Sequence, residues 1–457
     1  MSPLLVFGVI AGYFALLLLI SYLTSLKSDS LTFYTGNRES PWFLVAFGMV
    51  GASLSGVTYA VIGLVLIPLF YKLNLISIYE YLKTRFGQKA YLSGATIFLI
   101  SQTIGASFRL FLAATVLQLA FFDAFGIPFY ASVLTTMVLI WLYTYKSGIK
   151  TIVWTDTLQT VFLLLAVVIT IIVIGQHLGI DSGALLTIVK DSELSSIFVW
   201  EGNTSQNFFK MFAGGIFITI AMNGLDQNVM QKNLTCRNQR EAQKNIFWFS
   251  ITFFLSNLLF LGLGVLLYHY ADANGIDLPK ATDELFPFLA LNHFGTLAGV
   301  VFLLGITAAA FSSADSALTA LTTSFCIDII NLPGRQNIDQ DKSRRWIHIG
   351  FTFLVFLTIV AFNEVNDRSV VSAVFKAAGF TYGPLLGLFA FGLTNKRAVR
   401  DKFVPYICLL SPLLSFILDW NAADWFNGFQ FGFEILLVNA AITYIGLLLS
   451  SKGAVSA

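Results

Sequence analysis

A stripe of small and hydroxyl-bearing residues lies inside one long apolar segment of the chain. Its members are Ala309, Ser312, Ser313 and Ser316. Their i, i+3, i+4, i+7 spacing places them on one face of a helix, and Asp315 stands beside that face, one turn from Ser312. A hard cation such as sodium binds several oxygen ligands, and hydroxyls and main-chain carbonyls supply them with little negative charge. The stripe therefore predicts a cation site, although it is also typical of close helix packing through small residues.

Ionisable side chains inside other apolar segments are further candidates, because each costs about 3 kcal/mol in a membrane and by default faces a bundle interior or a watery path. They are Arg109, Asp156, Asp226, Asp315 and Lys376. Some have structural interpretations as well. Arg109 can pair with a carboxylate, Asp156 can complement a helix dipole, and Lys376 can extend its charge to the outer interface. Asp226 lies near a cytoplasmic helix end and can reach the interface.

A glycine-rich run at 47–57 could complete such a site. It contains Gly48, Gly51 and Gly56. Broken helices that line a cavity expose main-chain carbonyls to ions in transporters. Close helix packing through glycine is the alternative interpretation.

The composition requires these segments to lie in a lipid bilayer. Of 457 residues, 56% are hydrophobic and only 11% are charged, against about 25% charged in soluble domains. The net charge of +2 without a basic block excludes nucleic-acid binding. Long continuous apolar runs exclude an outer-membrane barrel, and no motif of enzyme chemistry is present. The chain is predicted to be an all-α polytopic membrane protein and not an enzyme. Its oligomeric state stays open.

The apolar runs give the predicted topology, since a crossing helix needs about 20 residues. They lie at 3–26, 90–122, 129–146, 151–176, 205–231, 245–269, 297–331, 347–363, 369–394, 403–419 and 429–450. Basic loops alternate with loops poor in Lys and Arg, which predicts that the basic loops and the C-terminus are cytoplasmic. Lys232 belongs to one of these basic loops.

The stretch 42–71 conflicts with that alternation. Both flanking loops are basic, so the chain between them should cross an even number of times, but two crossings need about 40 residues. The segment either re-enters without crossing, crosses once with one basic loop on the wrong side, or lacks part of a helix pair.

Several motifs together resemble the sodium:solute symporter family, which includes sodium/glucose, sodium/proline and sodium/sialic acid symporters. They are Ser55, the run 77–87, Trp154–Asp156 with Gln159, Asp226–Gln227 with Gln231, and the run 311–316. The resemblance implies a single membrane domain over 1–457 with a leucine-transporter-type fold and about 12 to 13 transmembrane helices. Two inverted five-helix repeats would occupy 42–176, shortened near 57–62, and 205–394. Extra helices would lie at 3–26 and 402–450.

The resemblance also implies the site residues. The main sodium site would use the carbonyls of Gly51, Leu54 and Ala309 and the hydroxyls of Ser312 and Ser313. A second sodium site would gather Asp156, Ser312, Asp315 and Ser316, although Asp315 stands where other members often have a hydroxyl or small residue. Thr58, Met222 and Lys376 would be nearest to the substrate, and a cationic Lys376 would suit an anion.

The function implied by the resemblance is sodium-coupled symport of a small polar solute, by alternating access, across a plasma (bacterial inner) membrane. Two alternatives stay open. One is a non-transporting sensor or binding protein of the same fold, which the short 42–71 segment favours. The other is a proton-coupled transporter in which Asp156 or Asp315 titrates. The sequence does not name the solute.

Overall fold

The protein is almost entirely helical, which confirms the predicted all-α polytopic class. The computed structural model describes residues 2–25, 30–49, 56–145, 148–196, 198–279, 282–335, 338–365 and 370–454. Its helices are α1 Pro3–Ser25, α2 Ser30–Thr35, α3 Trp42–Gly48, α4 Gly56–Val61, α5 Ile67–Lys72, α6 Glu80–Arg85, α7 Gln88–Ala120, α8 Phe129–Thr144, α9 Ile149–Leu178, α10 Ser182–Asp191, α11 Phe208–Thr219, α12 Gln227–Asn233, α13 Gln239–Ala273, α14 Leu285–Asn292, α15 Gly295–Ser324, α16 Gln340–Val365, α17 Val370–Thr381, α18 Gly383–Thr394, α19 Val404–Trp420, α20 Ala422–Trp425 and α21 Ile435–Ser450. Strands β1 Arg397–Val399 and β2 Ser451–Ala454 pair antiparallel.

Short segments of other helical types connect or continue these helices. Segments of π-helix lie at Ile62–Leu66, Ile220–Gly224 and Phe325–Ile329. Turns of 3₁₀-helix lie at Gly36–Arg38, Phe122–Phe125, Glu193–Ser195, Thr282–Glu284, Leu332–Gly334 and Asp401–Phe403.

Within the described part of the chain, seven helices are long and apolar enough to cross a membrane. They are Leu4–Ser25, Gln88–Ala120, Ile149–Leu178, Gln239–Ala273, Gly295–Ile329, Gln340–Glu364 and Asp401–Trp420. Two further spans are bent helix pairs, Phe208–Gly224 with Gln227–Asn233 (64°) and Ala373–Thr381 with Gly383–Thr394 (44°). Shorter apolar helices lie at Thr58–Lys72, Phe129–Thr144 and Ile435–Ser450. The bent pairs and the shorter helices bring the total among the described residues to twelve, which agrees with the predicted number of spans.

The stretch between Trp42 and Lys72 contains two short helical pieces. The described part of the second, Thr58–Lys72, has 15 residues, or about 22 Å at 1.5 Å per residue, and the hydrocarbon core is about 30 Å thick. It bends through a π-helical segment before it ends at Lys72. Gly51, Leu54 and Ser55 lie outside the described residues.

Helix α15 lies at the centre of the bundle, packed along α9 and α7. Glycine permits this close approach, because a Cβ atom at Gly305 would lie 2.6 Å from the Cβ of Ala166 on α9. This packing places the hydroxyl stripe of α15 beside Asp156 of α9, where Ser312 contacts the carboxylate.

The broken helix α11–α12 turns polar residues into the bundle. A π-helical segment ends at Gly224, and the chain bends by 64° before α12. Asp226 caps α12, since its Oδ1 accepts a hydrogen bond from the backbone N–H of Asn228 at 2.7 Å. The bend leaves the carbonyl of Leu225 to accept a hydrogen bond from the hydroxyl of Tyr79 at 3.0 Å. This break positions both Asp226 and Lys232 inside the protein.

Candidate functional site

A cavity of about 660 Å³ lies between α7, α9, α12, α13, α15 and α17. Its polar lining consists of Gln102, Arg109, Gln159, Thr160, Asn223, Asp226, Asn228, Lys232, Ser256, Asn257, Ser312, Ser313 and Ser316. Apolar side chains, among them Met49, Met222, Phe253 and Phe375, complete the wall. An apolar cavity with a few converging polar groups is the usual form of a small-molecule site.

The predicted stripe of α15 faces this cavity. Ala309, Ser312, Ser313 and Ser316 all line it. Ser313 forms no hydrogen bond to any other described residue, so the lone pairs of its hydroxyl oxygen are free for a cation. Ser312 donates its hydroxyl hydrogen to Oδ1 of Asp156 at 2.6 Å, which leaves its lone pairs free as well. These oxygens suit sodium, but the predicted opposite ligands, the carbonyls of Gly51 and Leu54, lie outside the described residues.

Acidic or soft-ligand metal centres are not found in the described part of the chain. No group of three or more His, Cys, Asp or Glu residues there could hold a metal ion. A cation at this cavity would therefore be bound mainly by neutral oxygens, the ligand set that sodium accepts.

Asp156 forms a buried ion pair with Lys232. The Nζ of Lys232 lies 2.6 Å from Oδ2 of Asp156, and the two side chains are 10% and 1% exposed. Gln159, with its amide oriented to satisfy both ends, donates to Oδ1 of Asp156 at 3.2 Å and accepts from the hydroxyl of Tyr13 at 3.1 Å. The sequence predicts Lys232 in a basic loop, but the structure places it within α12, and the break before α12 turns its side chain inward. The sequence signal that could have predicted this burial is the spacing of the polar residues Asp226, Gln231 and Lys232.

Asp315 forms hydrogen bonds with a different set of residues from those around Asp156. Its Oδ2 accepts a hydrogen bond from the hydroxyl of Tyr143 at 2.9 Å, and its Oδ1 accepts one from Ser316 at 3.1 Å. Thus the residues of the predicted second sodium site form two neighbouring pairs, Asp156 with Ser312 and Asp315 with Ser316. Their carboxylate oxygens bond to protein donors.

A second polar group of the cavity surrounds Arg109, and much of it is unpartnered. Among the described residues, the Nε of Arg109 and the Nε2 of Gln102 are buried without a hydrogen-bond partner, as is the Oδ1 of Asn228. No described carboxylate lies within ion-pair distance, 4.0 Å, of Arg109. The structural role considered for Arg109, as a partner for a carboxylate, stays open, because the buried carboxylate of Asp226 borders the same cavity and interacts electrostatically with the guanidinium.

Asp226 lies inside the protein and not at the interface that its sequence position allowed. Its side chain is buried, lines the cavity and accepts a hydrogen bond from the hydroxyl of Tyr382 on α18's N-terminal flank. The hydroxyl of Tyr382 also lies 3.5 Å from Oε1 of Gln102. Asp226 thus stabilises the packing of the two bent spans on each other.

The three predicted substrate residues are dispersed. Met222 lines the cavity. Thr58 is buried elsewhere, with its hydroxyl directed at the carbonyl of Ile216 at 3.4 Å. The Nζ of Lys376 lies 3.0 Å from Oδ2 of Asp419, and the Lys376 side chain is 57% exposed. Neither Thr58 nor Lys376 lines the cavity, and the exposure of Lys376 favours the interfacial interpretation of that residue.

The comparison with known proteins decides the family. The model of the "Sodium:solute symporter family" matches residues 41–401. This chain belongs to the sodium:solute symporter family. That assignment confirms the resemblance carried by the sequence motifs.

Relatives within the sodium:solute symporter family are distant. The human sodium/iodide cotransporter is 25% identical over 84% of this chain and 65% of its own length. The sodium-coupled monocarboxylate transporter 2 of Bos taurus is 24% identical over 80% and 64%. The sodium/sialic acid symporter NanT of Aliivibrio fischeri is 27% identical over 73% and 66%. The chain spans about half to two thirds of the length of the curated relatives that it matches.

The fold is shown by comparison with a solved structure. A sodium-coupled sialic acid symporter, in a substrate-bound outward-open state, superposes with a TM-score of 0.80 at 20% identity over 98% of both chains. This likeness confirms the predicted leucine-transporter-type architecture.

Proposed function

We propose that this chain is a sodium-coupled symporter that imports a small organic or inorganic anion. The observation that carries the proposal is Arg109, which has no ion-pair partner within 4.0 Å among the described residues and borders the same cavity as the hydroxyl of Ser313. One group suits an anion and the other suits a cation. The cavity is therefore suited to bind both ions of a symport cycle.

Arg109 supports an anionic solute on physical grounds. A charge inside a membrane bundle is costly and by default functional, and a guanidinium offers a planar fork of donors that matches a carboxylate. The relatives named above carry iodide, monocarboxylates and sialic acid, which are all anions at neutral pH. The unpartnered amide nitrogen of Gln102 and amide oxygen of Asn228 would hydrogen-bond polar groups of the same solute.

Sodium would bind between α15 and the first core helix. Ala309, Ser312 and Ser313 supply oxygens on one side, and the carbonyls of Gly51 and Leu54 would supply the other. An ion that binds both helices stabilises the state in which they lie together. Rocking of one repeat against the other would then expose the sodium ion and the solute to the opposite side of the membrane.

The proposed location is the plasma membrane, or the inner membrane of a bacterium, with the basic loops and the C-terminus in the cytoplasm. The alternation of basic and non-basic loops supports this orientation. The strands β1 and β2 would lie on the cytoplasmic face, since β1 includes Arg397 and follows directly on Lys396.

The test is uptake of labelled anions into proteoliposomes that contain the purified full chain. Iodide, a short monocarboxylate and sialic acid are each offered with an inward sodium gradient or with an equal choline gradient at fixed pH. We expect sodium-dependent uptake of at least one of them. Equal uptake under both gradients would reject sodium coupling, and uptake that follows a pH gradient in choline would support the proton-coupled alternative.

The second candidate is a non-transporting binding protein of the same fold. The observation that favours it is the apolar helix Thr58–Lys72, whose 15 described residues are fewer than the roughly 20 that a crossing helix needs. Saturable binding of an anion by the purified protein, without uptake under any gradient, would support this candidate over transport.

A further inference from the structure

Lys232 places a positive charge at the position where the family resemblance implies a second sodium ion. Its ammonium lies 2.6 Å from Oδ2 of Asp156, and the other oxygen of that carboxylate accepts the hydroxyl of Ser312 at 2.6 Å. Lys232, Ser312 and Gln159 line the cavity, whereas Asp156 does not. The carboxylate therefore lies behind these three side chains.

The ammonium of Lys232 already neutralises the carboxylate of Asp156, because the two groups form a buried ion pair at 2.6 Å. Asp315 lies beside this pair, and its oxygens accept hydrogen bonds from Tyr143 and Ser316. A second sodium ion beside Asp156 would therefore add an excess positive charge in a poorly solvated place.

We propose that the Lys232 ammonium is a tethered cation that replaces a second sodium ion beside Asp156, so that this chain loads one mobile sodium ion per cycle. The proposal rests on the sodium-coupled function proposed above and specifies its stoichiometry. A compact ammonium on a flexible stem is a point charge, as sodium is, and Lys232 can fill the same place.

The ion pair also orients a sodium ligand. Asp156 takes the hydroxyl hydrogen of Ser312 and so directs the lone pairs of that oxygen away from the carboxylate. Lys232 holds Asp156 from the other side. Lys232 is thus a positioning residue for the sodium site next to α15.

The experiment is equilibrium binding of radioactive sodium to the purified full chain in detergent, with choline as the replacement cation. For the wild type we expect about one sodium ion per chain and a Hill coefficient of about 1, since the coefficient cannot exceed the number of sites. In K232M the bare carboxylate of Asp156 should recruit another ion, so the stoichiometry and the Hill coefficient should both rise toward about 2.

Three controls separate a cation effect from a general disturbance. K232R keeps the positive charge and should bind one sodium ion. D156N/K232M removes both charges and should also bind one. K244M removes an exposed lysine from α13 and should match the wild type.

The outcomes distinguish this proposal from the function on which it rests. A K232M variant that still binds one sodium ion, or a wild type that binds two, overturns the tethered cation alone. If no variant binds sodium, the sodium-coupled function is overturned together with the tethered cation.

If K232M does not fold, K232A is purified in n-butylammonium chloride and then transferred to sodium. A second sodium ion that butylammonium displaces competitively supports the proposal, and a single insensitive sodium ion overturns it.

Discussion

Two groups of polar side chains border the same cavity and differ in how they are satisfied. Around Asp156, Lys232 and Ser312, charges and hydroxyls are paired with one another. Around Arg109 and Ser313, several donors and acceptors that border the cavity have no described hydrogen-bond partner. An unsatisfied buried polar group costs about 1–3 kcal/mol, so it persists where a ligand completes it. The difference indicates which part of the wall serves the protein and which part serves its cargo.

The largest expected effect is on the paired side. D156N leaves the ammonium of Lys232 buried without its counter-charge, which should lower the free energy of unfolding by about 3–5 kcal/mol. Denaturant unfolding in detergent measures it. D156N/K232M should recover most of the loss. D419N, which breaks the partly exposed pair with Lys376, leaves a lysine that water can solvate and should change stability by about 0–1 kcal/mol. Equal losses in D156N and D419N would contradict the comparison.

On the unpaired side, R109Q should reduce the uptake of the transported anion by about 100-fold, because a charge-assisted hydrogen bond is worth about 1.5–3 kcal/mol. The initial rate of uptake in proteoliposomes is the measurement. K376Q is the matched control, since that lysine is exposed and lies outside the cavity lining. If both variants transport alike, Arg109 does not bind the solute.

A smaller effect is expected at the contact between the two bent spans, where Tyr382 meets Asp226. Y382F removes the hydroxyl that donates to the buried carboxylate of Asp226, so the free energy of unfolding should fall by about 1.5–3 kcal/mol. Y406F, at a tyrosine that is 65% exposed, should have no effect. Unchanged stability in Y382F would show that Asp226 does not depend on this contact.

The smallest effect separates two adjacent serines. S313A should weaken sodium binding by about tenfold, because it removes one neutral oxygen ligand whose energy is similar to that of a neutral hydrogen bond. It should not lower stability, because Ser313 has no described hydrogen-bond partner that the change would leave unsatisfied. S312A should weaken sodium binding and also destabilise the protein, since Asp156 loses a donor. Sodium affinity that is unchanged when both serines are alanine would refute the site.

The sequence predicted the elements whose signal is local. Helical spacing correctly placed Ser312, Ser313 and Ser316 on one face toward the cavity, and the motif resemblance correctly gave the fold. The burial of Lys232 could not be predicted from charge counting, because it depends on a 64° bend that a hydropathy pattern does not encode. Thr58 and Lys376 needed knowledge of which helix faces meet, and that depends on tertiary packing.

The pairing of Lys232 with Asp156 has an energetic consequence for the whole cycle. A lysine charge never leaves the polypeptide, so import of one sodium ion with one monovalent anion would be electroneutral. Each net charge moved through a field gains about 2.3 kcal/mol per 100 mV, and such a cycle would gain none of it. Accumulation would then follow the sodium concentration ratio alone and would be the same in an energised cell and in a depolarised one.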